Sequence, residues 1–241
     1  MLTDTTASRP IRVLHIIVGL GVGGAERLVV SAVTGLRAPA FEHAICCFSE
    51  RGALAGEAEH AGARVECIGA FPGLRNPFAF MRLYRLIRGC RPDIVHTHLQ
   101  AANLYGRFAA WLARVPVIVA TEHNVYSSKA PRYIAVERLL ARRTTALVAV
   151  SEQVRRFLCD QLQLGSAAIR VIRNGVSRPQ PSAAGVDALR RRLSIPEGRV
   201  VLGTVASLTR KKGHEFLVHA VALLRDRGIA CSAKHSVDQE Q

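Results

Sequence analysis

Side chains able to do chemistry in this sequence fall into short clusters, most of them just after a run of β-branched residues. Gly19-Leu-Gly21-Val-Gly23-Gly24-Ala25-Glu26 follows the run Ile11 to Val18. A turn of this kind opening a helix exposes backbone N–H groups at the positive end of the helix dipole, which suits a phosphate. Gly19, Gly21 and Gly24 also satisfy the dinucleotide pattern GxGxxG, with Glu50 as the acidic partner on the next strand. Glycines serving only a tight turn and close helix packing would read the same way. His96 and His98 are two positions apart and therefore on one side of a strand, and Glu122, His123 and Asn124 follow the next strand. Imidazoles and carboxylates at neighbouring strand ends can bind a polar ligand or move protons. His96, inside its strand, suits a hydrogen-bonded structural role, whereas His123 suits a functional one. His96, His98 and His123 could share a metal, but their spacing specifies none. Ser151 can cap the helix after it, and Asn174 lies in the turn Arg173-Asn174-Gly175-Val176. Arg210, Lys211, Lys212 and Gly213 precede a helix, where cations oppose the dipole and call for a compensating anion.

The elements that must position these groups alternate between short buried-strand patterns and longer amphipathic ones, the order of βα units winding a parallel sheet. Strands are expected at 11–18, 43–48, 64–68, 93–97, 117–121, 146–150, 169–172 and 200–205. Helices are expected near 25–36, 53–61, 77–88, 101–113, 132–143, 152–161, 186–193 and 213–226. The fold class is α/β, a doubly wound parallel sheet of Rossmann type over residues 1–176. The Pro-, Ser- and Gly-rich stretch 177–185 reads as a linker. Residues 186–230 then supply one helix, one strand and one helix, and 231–241 read as a polar tail without apolar period. A lone strand has nothing to pair with, so this second Rossmann-like unit is expected to be incomplete and the chain cut short.

Composition narrows the partners. Among 241 residues, 49% are apolar and Lys plus Arg exceed Asp plus Glu by 33 to 18, a formal charge of +15, which excludes a disordered chain and asks for an anionic partner. Aromatic residues are 5% of the chain and are not interleaved with the basic ones, so no nucleic acid is expected. The segment Asn76 to Arg91 sets Arg82, Arg85 and Arg88 along one helical face. That face suits an anionic membrane surface, joined by Arg132, Arg138 and Arg142, and equally suits a solvated basic face on a core helix. The six cysteines show no CxxC and no paired spacing, the pattern of reduced core thiols in a cytoplasmic protein. Arg9, Arg12 and the apolar run after them imitate a signal peptide, but His15 and four glycines break the run. No uninterrupted apolar run approaches the roughly 18 residues of a membrane span.

In order along the chain, Gly23-Gly24-Ala25-Glu26, Asp93-Ile-Val-His96-Thr-His98, Thr121-Glu122-His123, Val148-Ala-Val-Ser151, Arg173-Asn174-Gly175-Val176 and Lys212-Gly213-His214 resemble the motifs of family-four retaining glycosyltransferases of the GT-B fold. The resemblance covers about Ile11 to Arg227, an N-terminal acceptor domain and the opening of a C-terminal donor domain. It implies transfer of a sugar from a nucleotide-sugar donor to a lipid-linked or polysaccharide acceptor in bacterial envelope or exopolysaccharide synthesis. Net retention, no cofactor and no obligatory metal go with it. His123 would be the catalytic residue near the donor sugar, Gly23 and Gly24 would face the donor phosphates or the acceptor, and Lys212 and Arg210 would hold the diphosphate. His98, Glu122, Asn124, Ser151 and Asn174 would line the acceptor side or the cleft. Ser207 stands where the family often has Arg, leaving Arg210 or Lys211 to replace it. The family's E-x7-E element and nucleotide-base pocket are expected beyond residue 241, so this chain is expected to be weakly active or inactive alone. An NAD-binding Rossmann oxidoreductase and a non-catalytic acceptor-binding fragment are the alternatives.

Overall fold

The structure is a computed structural model that describes residues 9–36, 39–71, 76–126, 131–176, 180, 182–206 and 208–236. Two compact units divide between Gly175 and Val176. The first is built from β1 (Ile11–Gly19), α1 (Gly24–Gly35), β2 (Phe41–Glu50), α2 (Ala55–His60), β3 (Arg64–Cys67), α3 (Pro77–Cys90) and β4 (Ile94–His98). It continues with α4 (Leu99–Leu112), β5 (Val117–Glu122), α5 (Pro131–Ala141), β6 (Ala146–Ala149), α6 (Glu152–Leu162) and β7 (Ile169–Val171). Its sheet has seven strands in the order β3-β2-β1-β4-β5-β6-β7, all pairs parallel. The chain winds outward from β1 to β3, crosses to the other side of β1 at β4, and winds outward again, so the expected doubly wound architecture is present.

Because side chains alternate across a strand, β1 and β2 feed two cores at once. Leu14, Ile16, Cys46 and Phe48 pack with Leu83 and Ile87 of α3 and with Ala102 and Ala109 of α4. Ile17, Ile45 and Cys47 pack on the opposite face with Val29, Val30 and Val33 of α1 and with Ala55 and Ala58 of α2. Each fully buried Leu, Ile, Val or Phe contributes about 1.5–3 kcal/mol before entropy is subtracted. A third cluster closes the far side, where Ala120, Leu147, Ala149 and Ile169 meet Val154, Leu158 and Leu162 of α6. Helix α4 comes close to the sheet at Gly106, where a Cβ would crowd the Thr97 and Ile16 side chains. The six cysteines are free thiols, and burial raises the pKa of Cys46 and Cys47, the latter to about 12.

Arg107, one turn along α4, is buried with Glu122 and Glu137 around a small cavity that Asn103 and Leu147 also line. Its guanidinium donates to the Asn103 carbonyl and to Thr144 Oγ1. Burial pulls the Arg107 pKa down to about 10, while Glu137 and Glu122 act in the opposite sense. A buried charge of this kind is tolerable only because two carboxylates and several hydrogen bonds compensate its lost hydration.

The second unit holds α7 (Ala183–Arg192), β8 (Val200–Val205), α8 (His214–Asp226) and β9 (Cys231–Ser236). Two expectations change here. The stretch 177–185 is not linker throughout, because Ser182 accepts a hydrogen bond from Gly185 N at 3.1 Å and caps α7, which begins at Ala183. The polar tail from Cys231 is not without structure, since β9 pairs in parallel with β8 from Val200↔Cys231 to Val205↔Ser236. Backbone groups make that ladder, so a strand of polar side chains forms without the apolar period that a sequence reading requires. Residues 177–179, 181, 207 and 237–241 lie outside the described residues. No residue of α7 or α8 is buried, and Val205, Leu208, Phe216 and Val218 are exposed.

Candidate active site

The winding direction reverses between β1 and β4, and the crevice at such a reversal is where an open parallel sheet binds ligands. The glycine turn leaves β1 on one side of it and His98 ends β4 on the other. Gly23, in an extended conformation, is the N-cap of α1 and supplies no side-chain cap. The Glu26 carboxylate folds back over Gly23 so closely that a Cβ there would overlap it. The positive end of α1 therefore already has a carboxylate beside it. Gly21 and Gly24 face open space. Glu50 ends β2 directly beside Gly19 in the β1–β2 register.

Histidine rings cross the sheet beside this turn. His15 of β1 pairs in register with His96 of β4, and His98 pairs with Thr121 of β5. His15 and His43 alternate with Ile17 and Ile45, which places them on the α1 and α2 face. His43 Nε2 lies 2.6 Å from the Leu36 carbonyl oxygen at the C-terminal cap of α1. His43 Nδ1 lies 3.2 Å from His15 Nε2, His15 Nδ1 lies 3.3 Å from His98 Nε2, and His98 Nδ1 lies 3.4 Å from His123 Nε2. His96 stands beside this series with its ring centroid 4.0 Å from that of His98, and its Nε2 lies 2.8 Å from Thr121 Oγ1. Burial is the first cause holding the His15, His96, His98 and His123 rings neutral. His96 and His123 fall to about 4, and His15 and His98 lie well below the ordinary value of 6.5, with neighbouring histidines adding to the effect at His15, His96 and His98.

Other expected site residues are spread more widely. Glu122 is buried and turned toward α4, with Asn103 Nδ2 at 3.4 Å from its Oε2 and the His123 backbone N–H donating to its Oε1 at 3.1 Å. Asn124 is exposed. The Tyr126 hydroxyl draws together Asn124, Glu122 and the Gln100 backbone, and burial above all pushes its pKa up to about 12. Ser151, at the end of β6, accepts from Val154 N at 3.2 Å and caps α6. Asn174 is exposed in the turn after β7, beyond β5 and β6 in the sheet. Arg210 and Lys212 belong to the second unit, in a short 3-10 turn ending at Gly213, whose φ of 66° is left-handed and whose carbonyl accepts from Phe216 N at 3.0 Å. Both side chains are exposed. Ser207 lies outside the described residues.

Three structural residues of the site escape a motif-based reading. His15 and His43 sit inside strands, where they look like interruptions of an apolar run; their odd-numbered alternation with Ile17 and Ile45 is the signal that they share a face. Gly52 has φ of 69°, and a Cβ there would overlap the backbone at Leu20 and Gly21. Leu54 N donates to the Leu20 carbonyl at 2.9 Å, so the turn after β2 holds the glycine turn from below. His15, His96 and His98 each offer one nitrogen within 4.8 Å of the others, a grouping that could hold a metal ion. An ion there would have to replace ring-to-ring hydrogen bonds, because His15 and His98 use both of their nitrogens.

Known proteins resemble the chain in sequence and in fold. The model of Glycosyltransferase Family 4 matches residues 22–178. Over 229 residues the chain is 29% identical to the "Putative glycosyltransferase EpsF" of Bacillus subtilis (strain 168), covering 90% of this chain and 59% of that protein. Over 159 residues it is 26% identical to an Escherichia coli UDP-Gal:alpha-D-GlcNAc-diphosphoundecaprenol alpha-1,3-galactosyltransferase, covering 63% of this chain and 41% of that enzyme. The crystal structure of Anabaena Alr3699/HepE in complex with UDP and glucose superposes with a TM-score of 0.77 at 20% identity, covering 95% of this chain and 62% of that one. The chain thus spans less than two thirds of each.

Two stability measurements follow from this geometry. Gly52→Ala must strain a left-handed residue against backbone that cannot yield, and is expected to cost about 2 kcal/mol or more, while Gly24→Ala changes stability by no more than about 0.5 kcal/mol. Urea unfolding of the two variants separates them. The buried neutral histidines bind fewer protons folded than unfolded between about pH 6.5 and 4, so their contribution is complete above pH 6.5 and lost as pH falls through that window. Stability read by urea unfolding is expected to drop between pH 7 and pH 4.5, by about 2 kcal/mol for each histidine held near 4, and His96→Gln to flatten the slope.

Proposed function

The chain belongs to glycosyltransferase family 4, and from that membership we propose that it forms the acceptor side of a retaining sugar transferase. Its donor would be a nucleotide-diphosphate sugar and its acceptor a lipid-linked or polysaccharide hydroxyl in bacterial envelope or exopolysaccharide synthesis. The observation that carries this reading is His123, a neutral imidazole directly after β5, next to the crevice between β1 and β4. The E. coli relative's diphosphoundecaprenol acceptor and the UDP and glucose held by the Anabaena protein support the choice of substrates.

Chemistry at such a site needs three things of the protein: a place for the acceptor hydroxyl, stabilisation of the departing diphosphate, and little competing charge near the sugar. Neutral histidines satisfy the last. Glu26 suits the first, since a carboxylate over Gly23 accepts from hydroxyls and repels phosphate, which favours the acceptor over the donor phosphates as the ligand of the glycine turn. Taken by itself, the second unit offers Lys212 and Arg210 as exposed cations of the kind that suits a diphosphate. No metal is assigned a step. On this reading the GxGxxG glycines and Glu50 serve sugar transfer and not a dinucleotide.

Helix α3 supports attachment to an anionic membrane at the cytoplasmic face. Its exposed surface combines Phe78 and Met81 with Arg82, Arg85 and Arg88. Among the described residues no helix is long and apolar enough to cross a membrane. Arg132 and Arg142 are exposed as well, but Arg138 is engaged, its Nε donating to the Gln161 carbonyl at 3.1 Å. Each basic residue near an anionic surface contributes about 1 kcal/mol, screened by salt.

Transfer from UDP-sugars to an undecaprenyl-diphosphate saccharide, by the chain alone or with an added family donor domain, tests the reaction. His123→Ala is expected to lower it by about 100-fold or more. Absence of transfer together with tight NAD binding that Gly21→Ala abolishes would favour the oxidoreductase instead. In vesicle flotation the chain is expected to rise with phosphatidylglycerol vesicles and stay behind with phosphatidylcholine alone; equal behaviour with both removes the membrane proposal.

A further inference from the structure

The series of histidine contacts has a direction that one backbone atom decides. A carbonyl oxygen only accepts, so the 2.6 Å contact with Leu36 requires His43 Nε2 to carry the hydrogen. In a neutral ring His43 Nδ1 is then an acceptor, and His15 Nε2–H donates to it across 3.2 Å. His15 Nδ1 must accept in turn from His98 Nε2–H across 3.3 Å, and His98 Nδ1 from His123 Nε2–H across 3.4 Å. His123 Nδ1 is left without a hydrogen, buried, and with no partner among the described residues.

We propose that His43, His15 and His98 fix the tautomer of His123, so that its ring meets a ligand through Nδ1 as a hydrogen-bond acceptor, and that the group received there is a hydroxyl. A carboxylate or a fully ionised phosphate oxygen has no hydrogen to give and would face a lone pair. That the hydroxyl belongs to a sugar rests on the function proposed above; the tautomer does not. The three histidines are positioning residues, since none of them needs to touch the ligand. His96 is outside the series, being committed to Thr121.

Two features make the direction firm. Burial holds His15, His98 and His123 neutral near pH 7, so each ring has one donor and one acceptor. Reversing His15 or His98 alone would set two N–H groups against each other at one contact and two lone pairs at the other, and reversing His123 alone would set two lone pairs against each other at its contact with His98. Every partial reversal therefore loses at least one contact of the series. Turning all of them requires His43 to donate from both nitrogens, that is, to become an imidazolium.

Long-range proton–nitrogen NMR on the 241-residue chain with 15N-labelled histidine reads each ring's tautomer, with assignments from single His→Gln variants. At pH 7 His43, His15, His98 and His123 are expected to show the hydrogen on Nε2 and a bare Nδ1. A hydrogen on Nδ1 of any of the four, or an imidazolium at His43, overturns the proposal. His43→Phe keeps an aromatic ring but cuts the tie to Leu36, and is expected to move the His15, His98 and His123 signals toward a mixture of tautomers. Unchanged His123 signals in that variant, with amide spectra showing it folded, also overturn it. His43→Gln, which can still donate to Leu36 and accept from His15, is expected to restore the single tautomer. For the ligand, UDP-glucose is expected to shift the His123 Nδ1 signal toward the hydrogen-bonded range, and sulfate, which carries no hydrogen at pH 7, to leave it in place. A shift with sulfate alone contradicts the hydroxyl. Silence with both, while the free protein keeps the Nε2–H pattern, removes the sugar reading and leaves the tautomer series standing.

Discussion

An imidazole buried in a parallel sheet must find a polar partner for each nitrogen, because an unsatisfied buried group costs roughly 1–3 kcal/mol. Much of the first unit meets that demand. The β1–β2 and β1–β4 registers bring His43, His15 and His98 within hydrogen-bond distance of one another, and a one-residue slip of any of these strands would turn its ring to the opposite face. Helix α1 must end where the Leu36 carbonyl meets His43. The usual content of such a sheet face is aliphatic, as Ile17 and Ile45 on the same face show, so the rings are polar matter inside an otherwise apolar layer.

A second polar layer lies across the sheet from the first. Thr97 donates to Asn103 Oδ1 at 2.7 Å, Asn103 Nδ2 donates to the Thr121 carbonyl at 3.0 Å, and Glu122 and Arg107 continue the network toward α5. The end of β5 is therefore held from both faces, with His123 joined to the histidines and Glu122 to the arginine. This arrangement accounts for a carboxylate and an imidazole that are neighbours in sequence yet do different work. Glu122 braces the strand end from below, and its Oε1 receives the His123 backbone N–H. His123 is thereby fixed in both backbone and ring.

The two units contrast in how they use apolar surface. In the first, each helix buries at least one residue against its neighbours, whereas α7 and α8 bury none and β8 leaves Val200, Val201 and Val205 exposed. The second unit's exposed cations and left-handed Gly213 are local features of its chain, set by the turn before α8 and not by packing.

Much of this architecture was legible from residue order. Alternating β-branched and amphipathic runs determined the doubly wound sheet, because period and length distinguish a buried strand from a covering helix locally. The helix cap at Ser151 was legible for the same reason, being a contact within four residues. The spacing of His96 and His98 likewise fixed their shared side of β4. Strand β9 was not legible, because a polar strand needs only a neighbour's backbone and leaves no periodic mark. Nor was the joining of His15 and His43 to His98 and His123, or the seat of Gly52 beneath the glycine turn. Those depend on which strands lie side by side and in what register, and residues 28 to 83 positions apart meet only after the sheet is assembled. The sequence determined which groups could do chemistry; tertiary structure alone decided which of them touch, because hydrogen bonding acts over about 3 Å and sequence separation carries no information at that scale.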